Sequence, residues 1–112
     1  MSQRRRYLAE MTAAADRLAR AAERGDDRRY TDDDLYRFAI AFLWLRLAEP
    51  ATRLLTLRLV DARKIPVWSL LTAIRNSLAH DSDEEIPYGQ LWTKLPETLE
   101  AVGHDLDLLL TS

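Results

Sequence analysis

One short segment of the chain, Arg75-Asn76-Ser77-Leu78-Ala79-His80, contains the residue types that could cleave a phosphodiester bond in RNA. The imidazole of a histidine can accept the proton of a ribose 2′-hydroxyl or donate a proton to the leaving 5′-oxygen. An arginine can hold the phosphate with two hydrogen bonds and offset the charge that develops on it. An amide can orient either group, and none of these steps needs a metal ion. Arg75, Asn76 and His80 are therefore the candidate catalytic residues, and we expect no metal site and no cofactor.

The spacing of Arg75 and His80 is a weak signal by itself. The chain has 14 arginines and 2 histidines, so an arginine followed four to six positions later by a histidine is expected roughly 0.7 times by chance. A second interpretation stays open at this point, in which Arg75 forms a surface ion pair and His80 caps a helix end.

The segment lies on a predicted helix that starts near Pro66 and ends at Leu78 or His80. At about 100° per residue, one face of this helix is apolar and the opposite face is short and mostly polar. The apolar face comprises Val67, Leu71, Ile74 and Leu78, and the polar face includes Thr72, Ala73, Asn76, Ser77 and His80. Asn76 and His80 are four residues apart and therefore neighbours. The small residues of this face would allow a second helix to approach closely.

The rest of the chain predicts an all-α fold, a single domain over residues 1–112 built as an up-down bundle of four to five helices. A first helix is expected from about Arg5 to Arg24, with Gly25 as its stop. A second, capped by Thr31, is apolar nearly all round between Leu35 and Leu47 and should therefore be the buried centre of the bundle.

Two prolines are expected to disturb the helices. Pro50 should kink or interrupt the second helix, whose apolar pattern then resumes as far as Val60. The last helix is expected from Tyr88 to Leu110, with a kink at Pro96, after a solvated acidic loop at Asp81–Glu85.

Composition excludes several classes of protein. The chain has no cysteine, which excludes disulfides, thiol nucleophiles and cysteine-based zinc sites. No apolar stretch is long enough to cross a membrane and no secretory signal is recognisable, so we expect a cytoplasmic protein without membrane contact. The net charge is +3 over residues 1–29, +2 over residues 30–80 and −7 over residues 81–112. This gradient argues against a uniformly basic nucleic-acid binder, but a local basic face or an acidic docking surface remains possible.

The sequence around the Arg/His segment resembles the HepT-like proteins of the HEPN superfamily. The resemblance is carried by Ile65-Pro66-Val67-Trp68, by Arg75-Asn76 with His80, and by Ile86, Leu91-Trp92 and Leu95-Pro96. Upstream, the segment from Leu45 to Ala51 is similar to the "iGEA" segment of those proteins. More loosely, the similarity extends to the first helix and so covers nearly the whole chain.

This resemblance implies a helical bundle that dimerises and sets two Arg-x4-His motifs across a shared cleft. Many HEPN proteins are metal-independent RNases, and HepT-like members are toxins paired with a minimal nucleotidyltransferase antitoxin (MNT). It implies that Arg75 and His80 form the catalytic pair, that Asn76 is the polar residue following the arginine, and that RNA is cut to leave 2′,3′-cyclic phosphate ends. The alternative is a non-catalytic helical subunit that binds such a nucleotidyltransferase.

The chain departs from the family pattern at three positions. Ser82 stands where HepT-like proteins usually have a tyrosine that the antitoxin modifies with AMP, so tyrosine modification there is not available. Pro50 replaces the usual alanine after the acidic residue, and Ala48 replaces the usual glycine. Neutralisation would then use direct binding or another modified residue, unless no such antitoxin operates.

Four further residues are expected to support or line the site. Glu49 could orient Arg75 or His80 across the bundle, or form a structural ion pair. Trp68 could line the cleft or pack beneath Arg75, and Thr72 and Ser77 belong to the small-residue face.

Other possible sites have simpler explanations. His104 is expected to be a solvated histidine, and Trp44 and Trp92 to be core residues. The clusters Arg4–Arg6 and Arg28–Arg29 could contact RNA phosphates, but flexible, solvated charges explain them as well.

Overall fold

The computed structural model describes residues 2–111, and within them every regular element is helical. The elements are α1 (Gln3–Glu23), α2 (Asp27–Asp32), α3 (Asp34–Thr56), a 3-10 turn (Ala62–Lys64), α4 (Val67–His80), α5 (Tyr88–Thr93) and α6 (Leu95–Leu110). The all-α prediction is confirmed. The count differs from the expected four to five, because two six-residue helices accompany the four long ones.

The four long helices surround one hydrophobic core. α1 packs against α3 and α6, and α4 packs against α3 and α6, so each long helix has two long neighbours. The largest fully buried side chains come from α1, α3, α4 and α6: Trp44, Trp68, Leu8, Met11, Leu18, Ile40, Leu47, Leu54, Leu71 and Val102. Buried residues recur at three- to four-residue spacing in each of these helices and provide the apolar stripe that packing requires.

The first helix forms close to the predicted limits. Its N-terminus is capped by the Ser2 hydroxyl, which accepts a hydrogen bond from the Arg5 N–H at 3.1 Å. The helix ends at Glu23, and Gly25 follows where a stop is expected.

The start of α3 differs from the prediction. Thr31 does not cap it, because Thr31 lies within α2, where its hydroxyl donates to the Asp27 carbonyl. The cap is Asp33, whose carboxylate accepts from the N–H groups of Leu35 and Tyr36. Asp33 is therefore both the C-cap of α2 and the N-cap of α3.

Pro50 does not interrupt α3, which runs continuously from Asp34 to Thr56. Pro50 and the residues around it are buried, including Leu47, Ala48 and Ala51. A proline removes one helical N–H, and the packing of the flanking turns holds the helix together across this position. The helix then ends short of Val60, and Arg58 adopts a positive φ of 54° just after it.

The apolar run of α3 predicted a helix at the buried centre of the bundle, but one face of α3 is exposed. Leu35 is 80% exposed, Phe42 59% and Phe38 44%. These residues recur at three- and four-residue spacing, so they form a single stripe along one face of α3. The stripe points away from the core residues Ile40, Trp44 and Leu47 of the same helix.

α4 begins and ends where the sequence predicts, at Val67 and His80. The last predicted helix is instead divided at Lys94 into α5 and α6. Pro96 lies in the first turn of α6, where its missing N–H needs no partner, rather than at a kink. No helix within residues 2–111 combines the length and the apolar character needed to cross a membrane.

Candidate active site

Two polar contacts join helix α4 to α3. The Thr52 hydroxyl lies 3.4 Å from the Thr72 hydroxyl, and the Arg75 Nε lies 3.3 Å from Oε1 of Glu49. From the first contact to the second, the residue number rises in α4 and falls in α3, so the two helices are antiparallel here. The contacts therefore place Thr72 and Arg75 of α4 next to α3.

The Arg75 guanidinium is oriented by two acceptors. Its Nε donates to Glu49, and one terminal nitrogen donates to Oδ1 of Asn76 at 3.3 Å. A guanidinium carries five N–H donors, so three remain for a ligand. The side chain is 32% exposed, so Arg75 is partly accessible to a ligand.

His80 is the last residue of α4 and is exposed. Within residues 2–111 its ring makes no hydrogen bond or ion pair, so its two nitrogens are unengaged. Five residues of helix separate it from Arg75, which corresponds to about 7.5 Å along the axis and about 140° around it. A single chain therefore does not bring Arg75 and His80 into contact.

The other residues of the polar face have separate surroundings. Asn76 is exposed and lies one helical turn before His80. Thr72 is half-buried at the contact with α3. The Ser77 hydroxyl donates to Oδ2 of Asp81 at 2.7 Å, and the Asp81 N–H donates to the Ser77 carbonyl. Ser77 thus closes the end of α4 next to His80.

Trp68 is fully buried and so supports α4 from the core, not from an open cleft surface. No acceptor in residues 2–111 meets hydrogen-bonding geometry at its indole N–H. Burial raises the pKa of the nearby Asp105 carboxyl on α6, and the Trp68 N–H opposes that shift only in part.

The other two tryptophans differ in burial. Trp44 is fully buried as predicted and donates to the Leu91 carbonyl at 2.9 Å. Trp92 is only half-buried and stacks on Tyr30.

Ser82 lies in the exposed loop that follows α4. Its hydroxyl donates to Oε1 of Glu85 at 2.7 Å, and its N–H donates to the same oxygen at 3.1 Å. These two bonds hold the pKa of the Glu85 carboxyl below its ordinary value. The Tyr88 hydroxyl donates to Asp83 at 2.7 Å, so the acidic loop is tied to α5 as well as being solvated.

The basic residues are distributed differently from the sequence-based expectation. Arg28 and Arg29 form local ion pairs with Asp32 and Asp33. The cleft between α1 and α3 is instead lined by arginines that the sequence reasoning did not select, namely Arg17, Arg46 and Arg53. The spacing of Arg46, Glu49 and Arg53 on one helical face was the available signal. His104 is exposed on α6, as expected of a solvated histidine.

No group of three or more histidine, cysteine or acidic side chains among residues 2–111 is placed to hold a metal ion. Comparisons with protein-family models, with curated proteins and with solved structures each return no match. The resemblance to HepT-like HEPN proteins stays a prediction that rests on the residues quoted for it.

Proposed function

We propose that this protein is a metal-independent endoribonuclease of the HEPN type, acting as a homodimer and working as the toxin of a toxin–antitoxin pair. The observation that carries the proposal is the state of the Arg75/His80 segment. Arg75 is held by Glu49 and Asn76 with donors to spare, while His80 on the same helix is exposed and unengaged. Phosphodiester cleavage requires both an anchored cation to hold the phosphate and an unengaged imidazole to move a proton.

The positions of the two residues on α4 support the proposed dimer. Because Arg75 and His80 point about 140° apart, a phosphate held by Arg75 of one copy is better reached by His80 of the other. A two-fold axis near α4 would place each histidine opposite the partner copy's arginine, since a two-fold contact uses the same surface on both copies. The exposed Ala73 and Asn76 are small enough for such an approach.

In the reaction, the imidazole of His80 accepts the proton of a ribose 2′-hydroxyl. The 2′-oxygen attacks the adjacent phosphorus, and the bond to the 5′-oxygen breaks as that oxygen takes a proton from the protonated imidazole, which returns to its neutral form. The products are a 2′,3′-cyclic phosphate and a 5′-hydroxyl. The Arg75 guanidinium donates to the non-bridging phosphate oxygens and offsets the charge that develops on them.

The partner in this proposal is a nucleotidyltransferase-like antitoxin. Ser82 offers no phenol for modification, and its hydroxyl already donates to Glu85. Control is therefore proposed to act by direct binding over the exposed end of α4. The segment of residues 81–112 has a net charge of −7. In this proposal it provides the docking surface for a basic region of that partner.

A second candidate function is a non-catalytic subunit that binds a nucleotidyltransferase. One observation favours it: Arg75 already has a carboxylate partner in Glu49, as a purely structural arginine would. The two proposals differ in whether the isolated protein cleaves RNA.

The test uses the purified protein, freed of any partner, with RNA and excess EDTA. The RNase proposal expects cleavage that leaves 2′,3′-cyclic phosphate ends, and His80→Ala should lower the rate by about 10²–10⁴-fold, as expected for loss of a general acid–base. His104→Ala is the matched control, because it removes the chain's other histidine from an exposed helix surface. Equal cleavage by wild type and His80→Ala, with both proteins folded, would rule out the RNase function and leave the binding subunit.

A further inference from the structure

A cleft of about 490 Å³ runs between α1 and α3, on the side of α3 that faces away from the core. Its lining includes Arg17 from α1 together with Phe42, Arg46, Glu49 and Arg53 from α3. The polar residues and the aromatic ring therefore share one concave surface, whereas the groove between α4, α5 and α6 is lined mainly by apolar residues.

The three arginines of this cleft are exposed, and within residues 2–111 none of their guanidinium groups makes an ion pair or a hydrogen bond. Most other arginines of the bundle are engaged, for example Arg20 with Asp16. Unengaged guanidinium groups on a concave surface are suited to bind phosphates, which they can contact with two hydrogen bonds each.

The cleft also carries a favourable net charge. Glu10 and Glu49 are its acidic residues, and the Glu49 carboxylate is already paired with Arg75. Counting Arg75, four arginines face two glutamates, which leaves a net charge of +2. An anion is therefore attracted to the cleft although the whole chain is negative.

Phe42 supplies an aromatic surface beside these charges. Its side chain is 59% exposed and lies one turn before Arg46 on α3. An exposed ring beside arginines is the combination by which proteins bind single-stranded nucleic acids, because bases stack on the ring while cations contact the backbone. An acidic polypeptide would pair with the arginines but would leave the Phe42 ring without a stacking partner.

The cleft is continuous with the candidate active site through Glu49. This residue lines the cleft and also accepts the hydrogen bond from Arg75. A strand bound along α3 would therefore lead toward the guanidinium that is proposed to hold the scissile phosphate.

We propose that the α1–α3 cleft binds single-stranded RNA, with Arg17, Arg46 and Arg53 contacting phosphates and Phe42 stacking against a base. This inference rests on the proposed RNase function for its substrate, but it concerns binding and so is separable from cleavage. In this proposal, α3 guides the RNA toward the candidate active site on α4.

The experiment measures binding of a fluorescein-labelled single-stranded RNA by anisotropy, using the cleavage-deficient His80→Ala protein as the parent. Arg46→Ala/Arg53→Ala in that parent should weaken binding about tenfold and lower the slope of log affinity against log salt by about 0.7 for each phosphate that the variant no longer neutralises. Arg20→Ala/Arg63→Ala is the matched control, because it removes the same charge from exposed arginines outside the cleft. This control pair should bind within twofold of the parent.

A second pair of variants tests the stacking. Phe42→Ala should weaken binding several-fold without changing the salt slope, since the ring carries no charge. Leu35→Ala, which removes another exposed apolar side chain of α3, should have no effect.

The outcomes separate this proposal from the function itself. Equal loss of affinity in both arginine pairs, or displacement of the RNA by poly-glutamate with no effect of Phe42→Ala, would overturn the cleft as an RNA site. If the cleft variants bind normally while wild type cleaves RNA, the cleft proposal fails and the RNase function stands. If wild type does not cleave RNA but the cleft variants lose binding, the RNase function fails and the binding site stands.

Discussion

The Nε of Arg75 on α4 lies 3.3 Å from Oε1 of Glu49 on α3, which joins two residues that are 26 positions apart in the chain. Both side chains are partly exposed, at 32% and 41%. The pair therefore contributes little to folding, because water and salt screen ion pairs of this kind. Its main consequence is the orientation of the guanidinium in the candidate active site.

Glu49→Gln is accordingly expected to change activity more than stability. The free energy of unfolding should fall by less than about 1 kcal/mol, while RNA cleavage should slow by about tenfold as Arg75 loses its anchor. Urea unfolding and initial cleavage rates measure the two effects. Glu97→Gln, which disrupts the similar pair with Lys94 on α6, should leave cleavage unchanged. A large loss of stability with normal cleavage would make the Glu49–Arg75 pair purely structural.

Gly25→Ala should destabilise the fold by about 1–3 kcal/mol, the usual cost of overpacking. A Cβ at this position would lie within 2.6 Å of Cε2 of Tyr36. The Tyr36 ring cannot move away easily, because it is buried and its hydroxyl donates to the Ala21 carbonyl at 2.6 Å. Gly103→Ala is the control: a Cβ there meets no atom within 4 Å, so it should stabilise α6 by about 0.5–1 kcal/mol. Similar unfolding midpoints for the two variants would contradict this packing.

Stability should fall as the pH rises above about 10. Burial raises the pKa of Tyr30 to about 12, and its hydroxyl donates to the Tyr88 carbonyl at 2.6 Å. Burial, with the hydrogen bond to Asp83, also raises the pKa of Tyr88 to about 12. Between the ordinary tyrosine pKa of about 10 and about 12, the unfolded chain releases protons that the native state keeps, so unfolding is favoured.

Urea unfolding at pH 9, 10 and 11 measures this effect, and Tyr30→Phe should flatten the dependence because it removes one of the hydroxyls whose pKa the fold raises. Absorption near 295 nm follows phenol ionisation directly. Ionisation of all four tyrosines near pH 10 in the native protein would exclude the proposed shifts.

Asp105→Asn is expected to raise stability slightly at neutral pH, by at most about 0.5 kcal/mol. Burial raises the pKa of the Asp105 carboxyl above its ordinary value of 3.8. The native state therefore binds the proton more tightly, and stability falls as the pH rises from 3.8 through the raised pKa. The amide removes this dependence and keeps an acceptor near the Trp68 N–H. Asp107→Asn makes the same change in net charge on the same helix, and thermal unfolding at pH 4, 5, 6 and 7 should show the flattened profile only for Asp105→Asn.

Local patterns were sufficient to predict the main helices. The apolar spacing on α4, from Val67 to Leu78, and Pro66 before it placed that helix within a residue of its observed limits. Gly25 marked the end of α1 in the same way. These features are short-range, because a helix depends on bonds between residues four apart and on its caps.

Tertiary packing decided what the pattern left open on α3. The apolar run of α3 has more apolar surface than the neighbouring helices cover. Only the positions of those helices determine that Phe38 and Phe42 are among the residues left exposed. Packing also kept α3 continuous through Pro50, although local propensity favours a break there.

The candidate site shows the same division. The sequence by itself determined that Arg75, Asn76 and His80 share one helix, with Asn76 and His80 on its polar side. Only the tertiary structure decided that Arg75 is anchored by Glu49 of α3, that His80 stays unengaged, and that Glu49 also lines a cleft with arginines of α1 and α3. The physical reason is that periodicity sets the angle of a side chain around its own helix, whereas its partners are set by which helix packs alongside and in which register.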